Sequence, residues 1–396
     1  MVVLFEFLGN EPLENVVTCM NFAVDKVVYF GYLETILAKK ETTDRFLKEV
    51  CGVEQTVFWP LSHTDLQSVL NTMRKEIDQE VERGEKIFFD ITGGESLLLV
   101  AFGMLSKEYR APMHMYDIRS GNLIELVGDE DVNISQVVPA REIKLTLDMF
   151  IELQGGKINY YLQKEIKESQ SDKTREMIEK IWAIVCEFPS YWTLYSHFLN
   201  NSMDRTDLRF SQKIEMINMR VMVTPNILKD PETIYQITEA LHEAGLVKDI
   251  VHDDETFGFS FVNEAVMDIV LEAGSVVEML TYQWESERSD ECKIGVHLDW
   301  DGVIHEQNEQ DVYNEIDVLS LTGYIPTFIS CKMGKNNPKQ VLYALYELDT
   351  VAGRFGGKYA RKVLVVIREL DPLYAERAEE MGIEIMVCDP EAGAPN

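Results

Sequence analysis

The chain has 396 residues and carries 37 Lys and Arg against 68 Asp and Glu, a formal net charge of −31. That length accommodates two or three domains, each with its own core, and the composition is that of an ordinary soluble globular protein. The charge excludes broad electrostatic capture of nucleic acid, which rests on neutralising phosphates, and no apolar run approaches the roughly 18 residues that span a bilayer.

In chain order, residues 2–9, 26–32, 55–61, 86–92 and 111–118 are rich in β-branched and aromatic residues and are predicted strands. Amphipathic stretches at 42–50, 66–83 and 95–109 are predicted helices between them. Strands separated by helical crossovers indicate a parallel sheet with helices on both faces, whose ligands sit beyond the strand C-terminal ends. The turns of interest are Leu8-Gly9-Asn10-Glu11, Trp59-Pro60, Asp90 through Ser96, and Asp117 through Gly121. Gly93 and Gly94 follow a buried strand that ends at Asp90, and they allow backbone amides to approach a phosphate at a helix start. Neither the dinucleotide glycine pattern nor a Walker lysine is present, which disfavours NAD and ATP.

From about residue 142 to 271 the texture turns helical, with predicted helices at 174–187, 191–199 and 232–244. An acidic turn at Asp253-Asp254-Glu255 and the strand-like 257–262 complete a small wing. Helices followed by a hairpin suggest a winged-helix module. It lacks a recognition helix rich in Arg or Lys, so a connector or dimerisation role is expected. The remainder reads as a helix over 266–286, three strands, a helix carrying Gln340, a strand, a helix near 373–381 and a last strand. Six widely spaced cysteines without any C-x-x-C pair predict buried thiols rather than a zinc site or a disulfide frame.

The most informative stretch is a predicted hairpin of two strands, residues 314–321 and 326–333. Residues two apart share a face of a strand, so Glu315 and Asp317 are expected on one side while Ile316 and Val318 enter a core. Ser330 and Lys332 likewise share a face of the second strand. An acidic pair opposite a lysine suits a divalent cation and a phosphate, the layout of a metal-dependent phosphodiesterase. Between Lys332 and Lys362 lie seven Lys and Arg (Lys332, Lys335, Lys339, Arg354, Lys358, Arg361, Lys362) against Glu347 and Asp349, the one clearly basic stretch. Tyr343 and Tyr346, at helical spacing, are expected to pack in a core.

The order of a helical Glu278, the Asn314-Glu315-Ile316-Asp317 run, Ile329-Ser330-Cys331-Lys332 and a helical Gln340 resembles the PD-(D/E)xK restriction-endonuclease-like superfamily. The N-terminal sheet with Asp90-Ile91-Thr92-Gly93-Gly94 is similar to CARF domains, the CRISPR-associated Rossmann folds. Together they resemble the CARF-nuclease effectors of type III CRISPR defence. The resemblance implies an α/β architecture: a Rossmann-like CARF sensor at 1–140, a helical, winged-helix-like connector at 141–265 and a restriction-endonuclease-like α/β domain at 266–396.

It further implies Asp317, Glu278, Lys332 and Gln340 as catalytic residues. Asp317, Glu278, the Cys331 carbonyl and Glu315 are the implied ligands of Mn²⁺ or Mg²⁺. Ser330 departs from the family pattern, which has Asp or Glu two places before the lysine. For the sensor, Gly9, Asn10, Glu11, Trp59, Asp90, Thr92, Gly93, Gly94, Ser96 and Arg119 are the expected contacts of cyclic tetra-adenylate, whose two-fold symmetry matches a homodimer cleft. The expected activity is activator-gated cleavage of single-stranded DNA or RNA, with no membrane partner and a cytoplasmic location, the opening residues resembling no leader. Two other readings stay open: a ligand-responsive transcription regulator, and a constitutive restriction or repair nuclease.

Overall fold

The computed structural model describes residues 1–61, 65–128, 132–137, 141–162, 171–223, 231–304, 313–333 and 338–388. Lys335 of the basic stretch lies outside the described residues. The chain begins with β1 (Val2–Phe7), α1 (Val17–Asn21), β2 (Lys26–Gly31), α2 (Leu33–Glu49), β3 (Gln55–Pro60), α3 (Leu66–Glu82), β4 (Lys86–Asp90), α4 (Ser96–Tyr109) and β5 (Met113–Asp117). The five expected strands form a parallel sheet in the order β3-β2-β1-β4-β5, and β6 (Asn122–Gly128) and β7 (Val132–Val137) extend it antiparallel. The connections reverse direction between β1 and β4, so the crevice beyond those two strands is the topological switch point. Alternating side chains divide the sheet's two faces. Val3, Phe5, Phe30 and Phe89 pack with Leu70 and Met73 of α3 and Phe102 of α4. Leu4, Val27, Tyr29 and Phe88 face the opposite way, toward the rest of the molecule.

The segment after this sheet supplies α5 (Leu147–Leu153), capped by the Thr146 hydroxyl, and β8 (Lys157–Ile158). Although both lie within the stretch expected to be connector, β8 hydrogen-bonds the C-terminal sheet through Leu298 and Asp299. The helical unit then runs α6 (Asp172–Glu187), α7 (Trp192–Asn200), β9 (Arg209–Lys213), α8 (Ile214–Val223), α9 (Pro231–Glu243), β10 (Val247–His252), β11 (Thr256–Phe261) and α10 (Glu264–Leu271). Its sheet order, β10-β11-β9, with two helices between β9 and β10, is a winged-helix arrangement. In the recognition-helix position, α9 has Glu232, Glu239 and Glu243 and no Lys or Arg.

The C-terminal unit comprises α11 (Ser275–Ser286), β12 (Glu291–Asp299), β13 (Tyr313–Thr322), β14 (Ile325–Lys332), α12 (Pro338–Phe355), a 3-10 turn Gly357–Tyr359, β15 (Arg361–Val366), α13 (Pro372–Glu380) and β16 (Ile383–Val387). The single helix expected over 266–286 is two helices, because the chain leaves helical geometry at Glu272 and restarts after Gly274. The sheet order is β16-β15-β14-β13-β12-β8, parallel on the β15 side and antiparallel on the β12 side. Leu319, Leu321, Phe328, Leu364 and Val366 share one continuous apolar cluster with the inner face of the N-terminal sheet. Val318, Ile329, Cys331, Val363 and Val365 on the other face share a cluster with α11 and the winged-helix unit. The C-terminal sheet is therefore the central layer. Tyr324 at its hairpin turn also meets Tyr116 edge-on at 5.3 Å and takes a hydrogen bond from Asn21 at 2.9 Å.

Candidate functional site

Strands β13 and β14 pair from their turn down to Val318 opposite Ile329. Beyond that pair, a side chain replaces the backbone acceptor. Asp317 Oδ2 accepts the Cys331 N–H at 2.5 Å and the Ser330 hydroxyl at 3.1 Å, and lies 3.8 Å from Lys332 Nζ. The Asp317 side chain is 16% exposed and that of Lys332 is 40%. A carboxylate this enclosed is tolerable because a backbone donor, a hydroxyl and an ammonium all address it. The lysine keeps a solvent-facing end.

Helix α11 carries Glu278 in its first turn. Its neighbours Val277 and Met279 are buried, which anchors that helix face in the core. Burial pushes the Cys331 thiol well up, and the charges of Asp317 and then Glu278 push it further, so both carboxylates act on this thiol from different elements. The thiol itself is turned to Thr281 Oγ1 at 3.5 Å.

Glu315 has a different neighbour from Asp317. The alternation that would place it beside Asp317 is broken: Ile316 packs with Val296 and Leu319, whereas Val318 packs with Ile294 and Ile329 on the opposite face. Ile294 pairs with Val318 and Val296 with Ile316, which sets Gly295 opposite Asp317. Gly295 has φ +61°, a left-handed conformation that favours glycine, and both strands change face at this level. Glu315 consequently sits beside His297, Oε2 to Nε2 at 4.0 Å.

Gln340, on α12, lines a cleft of about 390 Å³ with Lys332, Lys339 and Tyr343. Tyr343 is 68% exposed, and Tyr346 is 47% exposed with the Arg377 guanidinium over its ring. The expectation that both are core residues is therefore corrected, because the buried face of α12 is carried by Val341, Ala344, Leu345 and Leu348. Among the described residues, no group of three or more His, Cys, Asp and Glu side chains comes within metal-holding range. The carboxylate oxygens of Asp317 are the donors the structure fixes here, a hard ligand of the kind a hard cation takes together with several waters.

At the switch point, much of the expected contact set is occupied by the protein's own structure. Gly9 exchanges two hydrogen bonds with the Asn15 side chain, its N–H at 2.8 Å and its C=O at 3.0 Å. Asp90 is fully buried and accepts the Thr92 N–H at 2.5 Å; burial pushes its carboxyl up against the pull of Thr18 and Thr92. The Thr92 hydroxyl accepts the Tyr116 N–H at 2.8 Å and lies 3.1 Å from that of Thr18, so it ties β4 to β5 and α1. Gly93 is required by packing, since a Cβ there would lie 2.7 Å from Glu14 Oε2. Gly94 takes φ +134°, and with Ser96 it is exposed where α4 begins without a side-chain cap. Asn10 is exposed beside them, its Oδ1 3.5 Å from Thr35. Trp59 is half-buried on β3, and its indole N–H is buried with no hydrogen-bond partner among the described residues. Arg119 is exposed in the β5–β6 turn and lines a groove of about 960 Å³ between the N- and C-terminal units.

Glu11 faces the C-terminal unit. Its carboxylate accepts the Lys358 N–H at 2.9 Å and the Gln154 amide at 3.2 Å, and Gly357, φ +62°, has no room for a Cβ, which would lie 2.5 Å from Glu11 Oε1. Three residues on, Glu14 Oε1 accepts the Tyr359 hydroxyl at 2.6 Å and lies 2.5 Å from Lys358 Nζ. Burial and the Glu14 charge push the Tyr359 hydroxyl's pKa up. The loop after β1 is thereby joined to the turn after α12. Glu14, Asn15 and Tyr359 escaped the sequence reading, which named Lys358 only as a member of the basic stretch; the Gly356-Gly357-Lys358 turn was the one available signal.

No protein-family model and no curated protein matches this chain. Solved structures do. Protein VC1899 from Vibrio cholerae superposes with a TM-score of 0.68 at 16% identity, over 99% of this chain and 95% of its own. Can2 from Sulfobacillus thermosulfidooxidans, solved in complex with cyclic tetra-adenylate, does so with 0.62 at 16% identity, over 97% and 95%. The α/β architecture described above is thus one this chain shares with both proteins over nearly its whole length.

Proposed function

We propose that the protein is a metal-dependent endonuclease for single-stranded nucleic acid, activated by cyclic tetra-adenylate and working in type III CRISPR defence in the cytoplasm. The observation that carries this reading is the meeting of Asp317 with Lys332, Ser330 and the Cys331 amide at the point where β13 and β14 part. The likeness in fold to Can2, which binds cyclic tetra-adenylate, supports the sensor half.

Asp317, Glu278 and the Cys331 carbonyl would hold Mn²⁺ or Mg²⁺. Such a cation lowers the pKa of a bound water and draws charge from a phosphate oxygen. The chain's own residues do the rest. Lys332 stabilises charge that develops on the phosphate. Ser330, where the family pattern has an acid, donates to Asp317 Oδ2 and so fixes the carboxylate without adding a charge. Gln340 faces the adjoining cleft with an amide able to hold the strand. One charged ligand fewer in the inner shell favours a single cation over a pair.

In the sensor, Asn10, Gly94 and Ser96 present exposed polar groups at the switch point, with Trp59 and Arg119 at its flanks. Gly9, Asp90, Thr92 and Gly93 shape that crevice from behind, and Glu11 faces the other domain. A homodimer is supported by α4, on which Leu97, Val100 and Met104 form an exposed apolar face leading away from the crevice. Glu11 and Glu14 supply a direct route from the sensor loop to the end of α12, the helix that bears Gln340. A ligand shifts this system only through its preference for one of two arrangements. The acidic α9 removes the feature a winged-helix transcription regulator would need.

The reading is tested by incubating labelled single strands with Mn²⁺, with and without cyclic tetra-adenylate. Cleavage that needs both agrees with it.

A further inference from the structure

We propose that the cleft beside Lys332 is a subsite for one unpaired nucleobase, stacked on Tyr343. The inference rests on the nuclease reading and adds to it how the strand is gripped. Helix α12 places Tyr343 one turn after Gln340, on the wall of the same cleft. At 68% exposed, and with no ring or hydrogen-bond partner among the described residues, it differs from Tyr346 one turn further on, which Arg377 covers at 5.5 Å. The floor is apolar: Val341, Leu364 and Val366 are all at most 4% exposed. The rim is cationic, formed by Lys332 and Lys339. The cleft volume of about 390 Å³ lies in the usual small-ligand range.

An apolar floor and a free aromatic face are poor hosts for phosphate and good ones for a base; the lysines suit the phosphates on either side. Stacking accepts any base, since each has a π-face, so the subsite grips a strand without reading its sequence. In a duplex both faces of a base are already covered by its neighbours. The same cleft thus selects unpaired strands, and it supplies an affinity that a chain of net charge −31 does not obtain from long-range attraction.

The test is equilibrium binding of a fluorescent polypyrimidine DNA strand, about a dozen nucleotides long, to the full-length protein in EDTA, where nothing is cleaved. Tyr343→Ala is expected to weaken binding about tenfold and Tyr343→Phe to restore it to within about twofold, in line with base–aromatic stacking. A single abasic residue scanned along the strand should cost wild type the same factor at one position and cost Tyr343→Ala nothing further there. Unchanged binding by Tyr343→Ala, or a loss that no abasic position reproduces, overturns the subsite alone. Failure of wild type to bind any strand, with cyclic tetra-adenylate present as well as without it, overturns the subsite together with the nuclease reading. Because the ring is exposed, thermal melting of both variants should match wild type, and this separates lost stacking from misfolding.

Discussion

Asp317 accepts the backbone N–H of Cys331 at 2.5 Å at the level where the β13–β14 ladder ends, and the same oxygen lies 3.8 Å from Lys332. A carboxylate held by a neighbouring strand's amide cannot swing away when a ligand arrives. This relationship makes the hairpin a pre-set site rather than a pair of surface charges. Asp317→Ala and Lys332→Ala are expected to lower cleavage by about a hundredfold or more, as loss of a transition-state charge partner does. Ser330→Ala should cost less, about tenfold, because the Cys331 amide still fixes Asp317. Single-turnover rates on a labelled strand measure all three.

The contact of Glu14 with Tyr359 and Lys358 makes a prediction about coupling rather than chemistry. Tyr359→Phe and Glu14→Gln should reduce the ratio of activated to unactivated cleavage about tenfold, within the span of ordinary coupling energies. Binding of the activator, followed by titration calorimetry, should persist. Gly93→Ala should act in the same direction, since its Cβ displaces the Glu14 carboxylate.

The exposed face of α4 predicts the assembly. Val100→Glu puts a charge at the centre of the stripe formed by Leu97, Val100 and Met104. Light scattering should report a monomer in place of a dimer, and activator should no longer stimulate cleavage.

Stability should fall as pH rises. Glu6 is buried, and burial first, then the charges of Asp90 and Glu14, hold its carboxyl well above its usual 4.5. The folded state therefore retains a proton that the unfolded chain releases, so unfolding becomes progressively easier from about pH 4.5 upward until the folded group itself ionises. Asp90 is pushed up from 3.8 and adds to the same trend. Glu6→Gln removes one of these protons, and the drop in Tm between about pH 5 and about pH 8 should become shallower.

The five parallel strands were legible because short continuous apolar runs such as Val2–Phe7 and Lys86–Asp90, bounded by turn residues, are buried on both faces. The meeting of Asp317 and Lys332 followed from short-range spacing on neighbouring strands, whereas Glu278 was named only through the family resemblance. Glu315 was misplaced because strict alternation was assumed across Gly295 and Asp317, where the strands change face. Glu11 looked like a ligand contact because its loop ends a strand at the switch point; its partners Gln154 and Lys358 lie 143 and 347 residues away, and no local pattern announces them. Tyr343 was assigned to the core by its helical spacing, although four neighbouring apolar residues already supply the buried face of α12.

The central claim is that one carboxylate and one lysine on neighbouring strands cut a phosphodiester only when a distant crevice is filled. The most direct measurement is the cleavage of labelled single-stranded RNA and DNA by wild type and Asp317→Ala in Mn²⁺, with and without cyclic tetra-adenylate. The account predicts cleavage by wild type with activator and near silence in the other three combinations. Equal rates without activator, or full activity in Asp317→Ala, would contradict it.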